Sequence, residues 1–173
     1  MEVVQGPDNI REEWLNHLVW QYEKDLLRIC SIYLRDATLA QDAVQETFLR
    51  VYKSPNAFHG DSSEKTWLVR IAMNVCKDLR RNAWYRFVDR RVSLDNLPIP
   101  SAPPSLDHIA LTTEIMRLPR KHMEVVMLHY YEGMTIREIA RVLGISLPAV
   151  SQRLSKAKSR LHDVLGGGDG NER

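Results

Sequence analysis

The chain has only two cysteines among its 173 residues, and it lacks any apolar run close to eighteen residues. Two cysteines cannot build the disulfide framework of a small secreted protein, and Cys30 and Cys76 lie near apolar helical stripes, which predicts buried thiols. A membrane-spanning helix needs about 20 apolar residues, so none is predicted. Residues 1–7 lack a signal-peptide pattern. These absences predict a reduced, cytoplasmic setting.

Motifs for metal binding and catalysis are also missing. The six histidines and two cysteines show neither CxxC nor HExxH spacing, so no metal site is predicted. The chain has no glycine-rich phosphate loop and no GxSxG nucleophile elbow. We therefore expect no cofactor and no enzymatic activity.

The chain has no large excess of charge of one sign. It has 24 Lys and Arg residues and 22 Asp and Glu residues, which give a net charge of +2. The charges are nevertheless segregated: residues 65–91 carry eight basic and two acidic side chains, and residues 135–163 carry six and two. One basic segment alone is more often a solvated helix face. Two such segments, each beside a structured motif, favour a polyanionic partner such as DNA.

Half of the eight prolines fall in residues 93–108, where they disfavour helix and predict a linker. We expect a first helical domain at 10–91, a linker at 92–108, a second helical domain at 109–165 and a disordered tail at 166–173. Apolar residues recur at spacings of three and four in both domains, and no stretch alternates convincingly with period two. The predicted fold is all-α, with two small domains.

The first domain shows two clear helical patterns. A stripe from Leu15 to Tyr33 predicts the first helix, and Thr38 with Gln41 has the spacing of a capping box that would start the second. Pro55 would end this second helix. Its predicted apolar stripe consists of Ala43, Val44, Thr47, Phe48, Val51 and Tyr52.

The strongest motif is TIREIARVLGISLPAVSQRLSKAKSRL at residues 135–161. Thr135 and Glu138 fit a capping box, Gly144 fits a left-handed turn, and Ser146 fits the N-cap of a following helix. The pattern predicts a helix-turn-helix whose second helix enters a major groove, the alternative being a generic helical hairpin with a solvated basic face. The residues predicted to contact DNA are Ser151, Gln152, Arg153, Ser155, Lys156, Ser159 and Arg160.

Residues 66–81 carry a second, largely cationic stripe beside an apolar one. Cations could follow phosphates, an indole could stack on a base, and an amide could contact a base edge. Core packing is the competing interpretation for Trp67. Phe58 and His59 in the preceding loop could contribute to a pocket for an unstacked base. The stripe consists of Trp67, Arg70, Asn74, Lys77 and Arg81.

The helix over residues 40–53 has an acidic, partly apolar face outside its main stripe. Such a face would repel DNA and suits a protein partner, although a merely solvated face is equally compatible with the spacing. Its residues are Asp42, Gln45, Glu46 and Leu49.

The residues alone are compatible with two other functions. The chain could be a stand-alone helix-turn-helix regulator that dimerises through residues 10–90 and binds a palindromic duplex. It could also be a helical protein-interaction adaptor whose basic segments are incidental. The regulator predicts tight duplex binding by the protein alone, whereas the adaptor predicts no dependence on DNA.

Three segments resemble, in the right order, a bacterial RNA polymerase sigma factor of the extracytoplasmic-function (ECF) group in the sigma-70 family. They are DATLAQDAVQETFLRVY (36–52), AFHGDSSEKTWLVRIAMNVCKDLRR (57–81) and VVMLHYYEGMTIREIARVLGISLPAVSQRLSKAKSRL (125–161). The resemblance implies a non-catalytic alternative sigma factor that binds core RNA polymerase, directs it to promoters and assists promoter melting. It also implies an anti-sigma factor, often membrane-anchored, and a cytoplasmic location with nucleoid association when active.

The resemblance further implies a role for each motif. The helix bearing Asp42 and Leu49 would dock on the polymerase clamp helices, the linker would extend toward the RNA exit channel, and the helix-turn-helix would bind the −35 element. The region from Phe58 to Asn74 would capture and melt the −10 element. The −10 residues so implied or predicted are Arg50, Phe58, His59, Trp67, Arg70, Asn74, Lys77 and Arg81.

Overall fold

The computed structural model describes residues 7–84 and 106–166. They belong to two compact units, Met1–Pro98 and Ile99–Arg173. Every regular element in the described residues is helical, which confirms the predicted all-α fold. Most of the predicted linker and all but the first residue of the predicted tail lie outside the described residues.

The first unit is a bundle of three helices, α1 (Pro7–Leu34), α2 (Ala37–Lys53) and α3 (Glu64–Trp84), with a short 3-10 turn at Pro55–Ala57. Each helix packs against the other two, since each supplies apolar side chains to one core. This core includes Leu18, Leu26, Ile29, Tyr33, Phe48, Val51, Leu68, Ala72 and Met73.

Cys30 and Cys76 are both fully buried in this core, as predicted. A hydrogen bond with Cys76, together with burial, raises the pKa of the Cys30 thiol above its ordinary value. The Cys30 side chain is therefore a neutral packing group rather than a reactive thiolate.

The predicted capping box at Thr38 and Gln41 is wrong. Asp36 is the N-cap of α2, since its backbone is extended and its Oδ1 accepts a hydrogen bond from the backbone N–H of Leu39 at 2.9 Å. Thr38 already lies inside the helix. Because a carboxylate caps as well as a hydroxyl does, the sequence DAT offered two candidates for the same role.

The second unit contains α4 (Leu106–Arg117), α5 (Arg120–Val126), α6 (Ile136–Leu143) and α7 (Leu147–Gly166). One π-helical turn, Met127–Tyr131, extends α5 and was not predicted. The buried face of α7 packs against α4, α5 and α6. The core of the unit includes Met123, Val125, Val126, Met127, Leu128, Ile139, Val150, Leu154 and Ala157.

The local geometry of α6 and α7 confirms each predicted helix-turn-helix signal. Thr135 and Glu138 form a complete capping box, with the Glu138 N–H 3.3 Å from Thr135 Oγ1 and the Thr135 N–H 2.9 Å from Glu138 Oε2. Gly144 ends α6 in a left-handed conformation with φ 66°. Ser146 Oγ accepts a hydrogen bond from the backbone N–H of Ala149 at 3.3 Å and so caps α7.

Among the described helices, none has the length and apolar content needed to cross a membrane.

Candidate functional site

The exposed face of α3 brings together most of the predicted −10 residues. Arg70, Asn74 and Arg81 are exposed and Lys77 is half-buried. They recur at spacings of four, three and four, so they lie along one side of the helix. We call these four residues the α3 cationic face. Its amide and three cations suit contact with a nucleic-acid strand.

Trp67 does not belong to this face, contrary to one of the two interpretations of its position. Its side chain is only 5% exposed, and its ring centroid lies 5.2 Å from that of Phe58 and 6.1 Å from that of Trp14. Residues 66–69 are all buried, so the exposed face of α3 begins only at Arg70. Core packing is therefore the correct assignment for the Trp67 indole in this structure.

Trp14 is a residue that the sequence analysis missed. Its indole Nε1 donates a hydrogen bond to Glu64 Oε1 at 3.2 Å, and its ring centroid lies 6.4 Å from that of Phe58. Trp14 thus connects α1 to the loop before α3 and to the first residue of α3. The position was detectable, because Trp14 precedes the buried Leu18 by four residues and extends the stripe of α1.

The loop between the 3-10 turn and α3 has a buried and an exposed part. Phe58 is half-buried within the aromatic cluster, whereas His59 is exposed. Ser63 ends the loop, because its Oγ accepts a hydrogen bond from the Thr66 N–H at 3.1 Å. Phe58 therefore anchors the loop while His59 is available to a ligand.

Arg50 is exposed at the edge of α2 and is bound by two acidic residues. Its Nε is 2.8 Å from Glu46 Oε1 and its Nη2 is 3.5 Å from Asp78 Oδ2 on α3. The hydrogen bond to Glu46, reinforced by the charges of Glu46 and Asp78, raises the pKa of the Arg50 guanidinium. Arg50 is therefore a permanent cation next to the α3 cationic face.

The predicted docking residues share one exposed face of α2. Asp42 and Gln45 are exposed, and Leu49 is 44% exposed. Glu46 is half-buried and lies beside this face. Tyr52 was predicted to be part of the core, but it is 46% exposed and continues this face, three residues after Leu49 and seven after Gln45. The result is a surface with polar residues at one end and apolar residues at the other.

The predicted DNA-contacting residues of α7 are exposed with one exception. Ser151, Gln152, Ser155, Lys156, Ser159 and Arg160 all face solvent. Arg153 differs, because its side chain is 27% exposed and its Nη1 lies 3.9 Å from Glu124 Oε2 on α5. Arg153 is spaced by three and four residues from the buried Val150 and Ala157, so it lies at the edge of the packed stripe.

His122 on α5 lies beneath this basic face and is only 3% exposed. Burial lowers its pKa, and the neighbouring cations Arg160, Lys121, Lys156 and Arg153 lower it further. The imidazole is therefore held neutral next to a cluster of positive charge. Within residues 7–84 and 106–166, no group of three or more His, Cys, Asp or Glu side chains could hold a metal ion.

Comparisons with known proteins agree with both units. The family model of sigma-70 region 2 matches residues 18–86, and that of sigma-70 region 4 matches residues 108–161. The ECF RNA polymerase sigma factor SigL of Mycobacterium tuberculosis is 32% identical over an alignment of 154 residues, and the match covers 86% of this chain and 82% of that protein. The chain belongs to the ECF group of the sigma-70 family. It is an alternative sigma factor that directs RNA polymerase to promoters.

Further relatives of this sigma factor are consistent with that family. The RNA polymerase sigma-H factor of Pseudomonas aeruginosa is 28% identical over an alignment of 162 residues, and the match covers 86% of this chain and 84% of that protein. The structure of CnrH in complex with the cytosolic domain of CnrY has 26% identity, a TM-score of 0.68 and 91% coverage of both chains. RpoE from Bartonella quintana, solved with the anti-sigma factor NepR, has 21% identity and a TM-score of 0.72 over 91% of this chain and 99% of that one, and it supports the fold. The family comprises transcription initiation factors.

Proposed function

We propose that this sigma factor divides promoter recognition between its two units. In this proposal the first unit docks on core RNA polymerase and melts the −10 element, and the second unit binds the −35 element. The observation that carries the proposal is the presence of an exposed cationic helix face in each unit, on α3 and on α7.

The proposed −35 contact rests on α7. Ser151, Gln152 and Ser155 are exposed near the N-terminal end of the helix, which is the end that approaches base edges in helix-turn-helix proteins. Lys156 and Arg160 follow on the exposed side, where cations meet phosphates. Arg153 would have to leave Glu124 to reach DNA, so we assign it a secondary role.

The proposed −10 contact rests on the α3 cationic face and on the loop before it. The cations Arg70, Lys77 and Arg81 would hold the strand backbone, and Asn74 would contact a base. His59 is the exposed part of a loop that Phe58 anchors in the aromatic cluster, so it could close over an unstacked base. Trp67 would act only indirectly, by supporting Phe58.

The proposed polymerase contact is the α2 face of Asp42, Gln45, Leu49 and Tyr52, with Glu46 beside it. Exposed apolar side chains beside acidic and amide groups are suited to a protein rather than to DNA. We further propose that an anti-sigma factor covers these surfaces, since the solved relatives CnrH and RpoE are each bound to a partner, and NepR is named an anti-sigma factor. Because core polymerase and the chromosome would be the partners of this sigma factor, we assign the sigma factor to the cytoplasm. We assign it no catalytic step.

Reconstituted transcription tests this division of roles. Promoters would first be mapped after overexpression of the chain, and core polymerase with the chain should then produce RNA from those promoters. Lys156→Ala should weaken promoter binding and lower its log–log salt slope by about 1, as expected for the loss of one phosphate contact. Lys158→Ala is the matched control, because Lys158 is on the same helix but lies over the Tyr130 ring at 5.8 Å.

Two outcomes would contradict the proposal. The absence of a complex with core polymerase in gel filtration would exclude the docking role of α2. Tight binding of a palindromic duplex by the chain alone would instead support the stand-alone regulator, since a sigma factor of this kind needs polymerase to position it.

A further inference from the structure

One acidic side chain, Asp78, lies among the cations of the α3 cationic face. It follows Asn74 by four residues and precedes Arg81 by three. Its Oδ1 is 3.3 Å from Arg81 Nη2, and its Oδ2 is 3.5 Å from Arg50 Nη2 on α2. One carboxylate therefore engages Arg81 of the α3 cationic face and Arg50, which the resemblance assigned to the −10 element and which Glu46 also binds at 2.8 Å.

These ion pairs are exposed to water. The side chains of Arg50 and Asp78 are 42% and 43% exposed, and that of Arg81 is 73% exposed. Exposed ion pairs are weak and are readily exchanged for another anion. A DNA phosphate approaching the α3 cationic face could thus take the place of the Asp78 carboxylate.

We infer that Asp78 is an internal counterion that occupies Arg50 and Arg81 until a DNA phosphate displaces it. This inference rests on the proposed −10 role of the α3 cationic face. Displacing a carboxylate weakens the binding of phosphates to these arginines equally, whatever the DNA sequence, whereas base contacts such as that of Asn74 are unaffected. Asp78 therefore lowers the affinity for promoter and random strands by the same factor, and the ratio of the two affinities does not change.

The chain offers a matched control for Asp78. Asp25 on α1 also accepts from an arginine three residues later, Arg28 at 3.0 Å, and from a cation on a neighbouring helix, Lys65 at 3.4 Å. Asp25→Asn thus makes the same change in net charge and removes a carboxylate from a similar pair of cations. Arg28 lies on α1 and Lys65 precedes Arg70 by five residues, so neither belongs to the α3 cationic face.

The test uses holoenzyme reconstituted from the full chain and core polymerase. The probes are a premelted template of a promoter mapped as above and a single-stranded 20-mer of random sequence, each titrated over a series of salt concentrations. Asp78→Asn should bind the random strand more tightly, and its log–log salt slope should be steeper by about 0.7 for each additional phosphate that the protein neutralises. The affinity for the promoter template should rise by the same factor, so the ratio of promoter to random affinity should stay at the wild-type value, while Asp25→Asn and Asp78→Glu should behave like the wild type.

Each other outcome contradicts a specific step. Weaker binding of both probes by Asp78→Asn would mean that the carboxylate orders the arginines rather than competing with DNA, which overturns the inference. Equal effects of Asp78→Asn and Asp25→Asn on binding would show that the change in net charge, and not the position of Asp78, causes the effect. If the wild-type holoenzyme itself does not prefer the promoter template, the proposed function fails. If the wild type prefers the promoter template but Asp78→Asn binds both probes with wild-type affinity, only the role of Asp78 is refuted.

Discussion

At the scale of single residues, Trp67 shows how tertiary contacts decide between two roles that helical spacing leaves open. The α3 periodicity places Trp67 beside Arg70 and Asn74, but Trp14 and Phe58 cover its indole. Losing a buried aromatic side chain costs about 3–5 kcal/mol. We therefore expect Trp67→Ala to lower the free energy of unfolding of the first unit by about that amount, as measured by urea denaturation.

Arg70→Ala is the control for this prediction. Arg70 lies three residues further along α3 and is exposed, so its truncation should change the unfolding free energy by less than about 0.5 kcal/mol. A Trp67→Ala protein that is as stable as the wild type and defective only in strand opening would contradict the burial argument. It would instead favour direct stacking of the indole on DNA.

The buried His122 predicts that the stability of the second unit depends on pH. The pKa of His122 is lowered in the folded chain, whereas an unfolded histidine titrates at about 6.5. As the pH falls below that value, the unfolded chain gains a proton that the folded chain resists, so stability falls with acidification and is fully retained above it. His122→Gln should reduce this dependence.

The pH dependence of the stability of the second unit is measured by hydrogen exchange of the α5 and α7 amides at pH 7.5 and 5.5, corrected for intrinsic exchange. Tryptophan fluorescence cannot, because all four tryptophans (Trp14, Trp20, Trp67 and Trp84) precede the linker. His162→Gln, an exposed change on α7, is the control. An equal pH response in the wild type and in His122→Gln would assign the effect to other groups.

At the scale of elements, the turn between α6 and α7 depends on one backbone conformation. Gly144 has φ +66°, and an added Cβ would meet no atom within 4 Å. The cost of Gly144→Ala is therefore backbone strain alone, about 1–2 kcal/mol. Gly144→Asn should cost less, because asparagine tolerates this region. Hydrogen exchange of the α6 and α7 amides measures stability, which should decrease in the order wild type, Gly144→Asn, Gly144→Ala. A Gly144→Ala protein as stable as the wild type would refute the strain argument.

The turn between α6 and α7 also shows which features of the fold could be predicted from the sequence. The capping box at Thr135, the turn at Gly144 and the cap at Ser146 are local, because each depends on residues within four positions, and all three were predicted correctly. One local signal was misread, because Asp36 and not Thr38 caps α2. The features that the sequence analysis missed are contacts between helices. Neither the burial of Trp67 under Trp14 nor the ion pair of Arg153 with Glu124 is encoded in local spacing.

At the scale of the whole molecule, the small net charge of +2 hides a division of labour. The acidic residues of α2 lie on its exposed face, which we assign to polymerase, and the cations lie on α3 and α7, which we assign to DNA. Glu46, Asp78 and Glu124 are exceptions, because each binds an arginine that the sequence analysis assigned to DNA. Local sums of charge thus indicate the type of partner, whereas pairing within the fold determines which cations are available.

Two DNA-binding faces in two units predict additive losses. Arg70→Ala in the first unit and Lys156→Ala in the second affect separate sites, so their free-energy costs for promoter binding should add to within about 0.5 kcal/mol in a double variant of the holoenzyme. On a template with a premelted −10 region that ends before the −35 element, Lys156→Ala should have no effect and Arg70→Ala should keep its full effect. Holoenzyme titrations on both templates provide the measurement, with Lys158→Ala as the charge control. A Lys156→Ala defect that persists without the −35 element would show that α7 contacts DNA elsewhere, and that the two units do not divide the promoter as proposed.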